Sequence, residues 1–163
     1  MDKRQTLNPR EIVAQARNEA RALGGSRIEA EHLLLALAAR PETPAGRLLS
    51  AAGLDHRAVR EALDLEFERS LGAVGIWLYG FDLPEERLPV VGAPRLAQSA
   101  KLAFERALKA RAGRGRDRRL QSLHLLLGIV SAEGGTVARA LAAAEVDRAA
   151  LAARARAALE HAA

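Results

Sequence analysis

His32, His56, His124 and His161 are the side chains in this chain best suited to holding a metal ion or moving a proton. None lies three to five residues from another, so no helical metal pair exists. Cysteine is absent, which removes thiolate ligands and disulfides and suits a reducing compartment. Glycine and arginine cluster in residues 112–119, but without the Lys-Ser/Thr ending that holds phosphate and magnesium in a nucleotide-binding loop. The serines have no nucleophile-elbow context, and the carboxylates are scattered as on any solvated helical surface. No acid–base pair can be nominated. The expectation is a non-enzymatic protein with no cofactor and no metal site.

Two clusters could bind instead. Trp77 and Tyr79, the only Trp and Tyr, stand with Phe81 in an apolar stretch. They either pack back onto the domain or form a surface for a partner. Arg111, Arg114, Arg116, Arg118 and Arg119 form a second cluster, in a chain of net charge +5. That invites a polyanion such as nucleic acid as an alternative function. Lysine, however, occurs only at Lys3, Lys101 and Lys109. Arginine therefore supplies nearly all the charge, as simple compositional bias would, and charge alone is a non-specific footprint. Nucleic acid is not the expected partner.

The elements that must position these residues come in two copies. Glu31-His32-Leu33-Leu34-Leu35-Ala36 returns as Leu123-His124-Leu125-Leu126-Leu127-Gly128. Ala16-Arg17-Asn18-Glu19-Ala20 resembles Ala103-Phe104-Glu105-Arg106-Ala107, and the Gly46–Asp55 stretch resembles Val137–Asp147. A duplicated unit of this size decides the fold reading. His32 and His124 hold equivalent places, so both read as hydrogen-bonders at a helix start.

Each copy reads as four helices. Thr6 or Asn8 can cap the first, with Pro9 near its start. Ile12, Val13, Ala16, Ala20 and Leu23 form its apolar stripe, and Gly24-Gly25 ends it. A second helix, about Glu29 to Arg40, is apolar nearly all round and should be central. Thr43-Pro44 opens a third. Asp55 caps a fourth, with Val59, Leu63 and Phe67 on its inner face. In the second copy, helix five spans about Arg95 to Arg111, helix six follows Ser122, Gly134-Gly135 precedes helix seven, and Asp147 caps helix eight. The extra residues of the second copy fall in 112–119. A single domain over 1–163 is expected, with repeat one at about 6–68, an apolar Gly/Pro linker at 69–92 and repeat two at about 93–160. No apolar run reaches the roughly 18 residues that cross a bilayer, and the start resembles no signal peptide. The expectation is a soluble, cytoplasmic, all-α protein with no membrane partner.

The repeat resembles the N-terminal domain of Clp-type AAA+ unfoldases. That family carries a Glu-His-hydrophobic-Leu-Leu stretch after a helix resembling Ala-x-x-Glu-Ala-x-x-Leu-Gly. Here those elements are Ala16–Gly24 and Glu31–Leu37. The resemblance implies a pseudo-two-fold bundle of eight helices that docks protein substrates, degradation tags or adaptors of a Clp system. The chain has no ATPase ring, so it is expected to be either a stand-alone copy that competes in or regulates Clp proteolysis or the excised front end of a larger unfoldase. The Ala-rich last helix without a linker favours the stand-alone copy. Natural-product ligands are a further class it implies. In some family members each repeat binds phosphorylated arginine, through a Thr at the first helix start and the Glu of the Glu-His pair. Thr6 and Glu31 match in repeat one. Ala93 and Leu123 replace them in repeat two, so a surviving phosphoarginine pocket would be single.

Overall fold

The computed structural model describes residues 7–75, 94–112 and 119–161. They form α1 (Pro9–Ala22), β1 (Arg27–Ile28), α2 (Ala30–Ala38), α3 (Pro44–Ala51), α4 (His56–Ala73), β2 (Arg95–Leu96), α5 (Gln98–Ala112), α6 (Ser122–Val130), α7 (Thr136–Ala143) and α8 (Arg148–His161). The helix starts follow the caps. Asn8 accepts from the Arg10 N–H, Thr43 from Gly46, Asp55 from Ala58 and Asp147 from Ala150. Each bond satisfies an amide that the helix itself leaves without an acceptor.

The two leucine-rich helices are the axis of the molecule. Every residue of α2 from His32 to Ala38 is buried, as is every residue of α6. The other helices wrap them in equivalent pairs: α1 on α2 and α5 on α6, α4 on α2 and α8 on α6. The halves are also laced together, since α4 packs on α7 and α3 on α8. One core cluster, from Leu7 to Leu159, runs through both repeats. With so few aromatics, helices must approach closely to fill it. Gly128 shows how closely, because a Cβ there would lie 2.2 Å from the Ala103 carbonyl oxygen on α5.

Three details differ from the sequence reading. The parallel β1–β2 pair, with Arg27 opposite Arg95 and Ile28 opposite Leu96, is too short for any periodicity to announce. Helix α4 continues to Ala73, past the linker boundary at 69. Gly72 costs a helix only about 1 kcal/mol, and the stop comes at Gly75, whose φ of 80° is left-handed. Phe67, expected inside, is 55% exposed. It follows Leu63 by one turn on the same face, but at that height it borders open space.

Candidate functional site

The site is built at the start of α2. Glu29 is the N-cap residue, and its carboxylate accepts from the His32 amide. In return the Glu29 N–H donates to His32 Nδ1 at 2.9 Å. This is a capping box with histidine in the usual Glu/Gln place. Gln121 and His124 repeat it at the start of α6, at 3.1 Å. Burial holds the His32 pKa below the usual histidine value, although the Glu29 and Glu19 carboxylates pull it upward. The imidazole is therefore neutral at pH 7, as an Nδ1 acceptor must be.

Each repeat completes the other. The Ala30 N–H donates to Ser99 Oγ of α5 at 2.9 Å, and the Ser99 hydroxyl donates to the Glu29 carboxylate. In the converse direction, the Ala45 N–H donates to Ser122 Oγ of α6 at 3.2 Å.

Two adjoining clefts open beside α2's first turn. One, of about 560 Å³, lies between the end of α1, β1 and α4, and includes Arg27, Glu31, Asp64, Glu66 and Phe67. The other, of about 380 Å³, faces α5 and the start of α7, and includes Leu102, Arg106, Ile129 and Val137. Glu29, Glu31 and Thr136 line both, so the two volumes share a wall of carboxylates.

The acids there are held in different states. Glu66 is almost buried on α4. It accepts from Arg139 Nε of α7 at 2.7 Å and from the Ser70 hydroxyl at 2.6 Å. Burial pushes its pKa up, but those two bonds and the guanidinium charge outweigh it, leaving it below the usual 4.5. Glu31 is the opposite case. Burial, then the charges of Glu29 and Glu66, raise its pKa, and its own backbone N–H and Arg139 only partly offset them. It is a half-buried carboxylate on the wall of an open cleft that an exposed phenyl ring also lines.

Of the residues named from sequence, Glu31 lies in this site. Thr6, Trp77, Tyr79, Phe81, Ala93, Arg114, Arg116 and Arg118 lie outside the described residues. Leu7, next to Thr6, donates its N–H to the Leu120 carbonyl at 2.8 Å, which sets the start of α1 against the start of α6. The helix start set against α2, where Glu31 sits, is that of α5. Leu123, in the place of Glu31, is buried in the core. Arg111 is half-buried and Arg119 exposed, at the two edges of residues 113–118. Asp64, Glu66, Phe67, Thr136 and Arg139 were not singled out as site residues from sequence. They come from α4 and α7, which no motif joins. Among the described residues no group of His, Cys, Asp and Glu could hold a metal ion, and no helix is long and apolar enough to cross a membrane.

Residues 4–76 match the family model described as the Clp repeat (R) N-terminal domain. The whole chain superposes on the N-terminal domain of the caseinolytic protease associated chaperone ClpD from Arabidopsis thaliana, with a TM-score of 0.66 and 23% identity. That alignment covers 97% of this chain and 96% of the other. Its fold is that of a Clp N-terminal domain. No curated protein matches the chain in sequence. The Clp family model covers repeat one alone, whereas the Clp N-domain fold extends over both repeats, because backbone packing persists after sequence has diverged.

Proposed function

We propose that this Clp N-domain is a non-catalytic docking module that binds segments of client or adaptor proteins in the paired clefts beside α2. The observation that carries this reading is the conjunction at one place of open volume, the half-buried Glu31 and the exposed Phe67. An apolar contact supplies affinity and a carboxylate in a partly desolvated wall supplies selection. Clp unfoldases use the same fold to dock substrates and adaptors, which supports the reading. A free copy would compete with an unfoldase's own N-domain for the same segments, and so restrain Clp proteolysis.

The test is amide NMR of the labelled chain titrated with α-casein, an unfolded protein. Shifts concentrated at Arg27, Glu31, Phe67 and Thr136 are expected. Shifts elsewhere, or none at saturating casein, would overturn the placement. Adding the chain to a casein-degrading Clp unfoldase–peptidase reaction should slow it, and an unchanged rate would remove the competitor role.

A further inference from the structure

One exposed apolar feature lies outside both clefts. Among the described residues the exposed large apolar side chains are Phe67, Val74 and Leu108. Phe67 lines the larger cleft and Val74 follows the end of α4. Leu108 is 43% exposed on α5 and lines neither cleft. Ala100, Ala103 and Ala107 turn the other side of α5 into the core. Half-buried Phe104 stands one turn before Leu108, so the two share a face. Beside them runs a row at four-residue spacing, Lys101, Glu105 and Lys109. All of these are exposed, and none forms an ion pair among the described residues. Packing does not demand this face. The match of Ala16–Ala20 to Ala103–Ala107 puts Arg17 in the place of Phe104 and, one turn on, Arg21 in the place of Leu108. The same helix packing therefore accepts arginine at both places. Lysine is scarce in the chain, yet Lys101 and Lys109 both stand here.

We propose that the outer face of α5 docks an amphipathic helix of a partner protein, with its apolar ridge over Phe104 and Leu108 and its carboxylates opposite Lys101 and Lys109. A helical face has no unpaired backbone edge to hold an extended strand. Its side-chain ridges do pack into the grooves of another helix. Lys101 and Lys109 stand about 12 Å apart along the axis. Acids two turns apart on the partner match them, and a basic residue between those acids matches Glu105. That alternation sets register and selects the partner. It also disfavours a uniformly anionic surface, which Glu105 repels. The face lies apart from both clefts, so this contact is additional to the docking described above.

The test uses a synthetic helical peptide with leucines at i and i+4, glutamates two turns apart and a lysine between the glutamates. A control peptide exchanges the glutamates for lysines and the lysine for glutamate. Amide NMR of the labelled chain with the first peptide should show shifts at Lys101, Phe104, Leu108 and Lys109, and none at Glu31 or Thr136. That peptide should bind about tenfold tighter than the control, a margin that shrinks as salt rises. Leu108→Arg, at an exposed position whose counterpart in repeat one is Arg21, should weaken it about tenfold and leave casein shifts in the clefts intact. Lys101→Glu combined with Lys109→Glu should turn the preference to the control peptide. Equal binding of the two peptides, shifts placed elsewhere, or none at saturation would overturn the proposal. Two other results would also overturn it by giving the face a different occupant. One is binding to phosphatidylcholine–phosphatidylserine vesicles that Leu108→Arg abolishes, and the other is a dimer of the chain that the same substitution abolishes.

Discussion

Glu31 is a residue whose charge opposes the stability of the fold. Burial is the main reason its pKa stands above 4.5 in the fold. The folded chain therefore holds this proton more tightly than the unfolded chain does. The stability contributed is complete below the unfolded pKa and is lost as pH rises through the folded one. At pH 7 the ionised carboxylate is a cost. Glu31→Gln should raise the melting temperature at pH 7, and the gain should shrink to nothing below about pH 4, as thermal scans against pH would show. Glu66 has the opposite sign. Its depressed pKa means that its stabilisation is present above 4.5 and fades as pH falls through the folded value. It is common to both proteins, so the difference between them reports Glu31 together with its coupling to Glu66. The Glu-His pair was legible as a helix start in sequence. Its electrostatic state was not, since Glu66 and Arg139 lie far along the chain.

At the scale of elements, the two repeats solve one geometry with different residues. Gly53 follows α3 with φ 74°, and Glu145 takes the equivalent place after α7 with φ 57°. A left-handed backbone is strained for a residue with a Cβ, by about 1–2 kcal/mol. Glu145→Gly should recover part of that, about 0.5–1 kcal/mol after the entropy of the new glycine is charged against it. Calorimetry should show a melting point a few degrees higher. Gly128 marks the reverse case. Its Cβ would fall 2.2 Å from the Ala103 oxygen and 2.9 Å from the Ala107 nitrogen. Both obstacles are backbone and cannot rotate away. Gly128→Ala should destabilise by about 1–3 kcal/mol or more, measurable as a lower urea midpoint. Helix identities were readable because caps and apolar stripes are local. Phe67 and the end of α4 were misplaced because periodicity says which face points inward, not whether another helix reaches that height.

At the scale of the molecule, the two repeats share contacts and one core. Ala30 depends on Ser99, Ala45 on Ser122 and Leu7 on Leu120. The core runs unbroken through both halves. Residues 1–75 expressed alone should lack the ellipticity of a four-helix unit, and mixing them with residues 76–163 should restore helix. Circular dichroism at 222 nm measures both. A native-like spectrum from residues 1–75 alone would mean that the interlocking contacts are dispensable.

The sequence by itself determined the duplicated four-helix plan, the capped starts, the central leucine helices and Glu31 as a residue of interest. All of these depend on spacing within one element or on likeness between two stretches of chain. Only the tertiary structure decided what surrounds Glu31. Its wall is assembled from α2, α4, α5 and α7, with the start of α5 rather than that of α1 set against α2. Crossed packing of two repeats brings together residues that no local pattern relates, and the charge they share exists only once they meet.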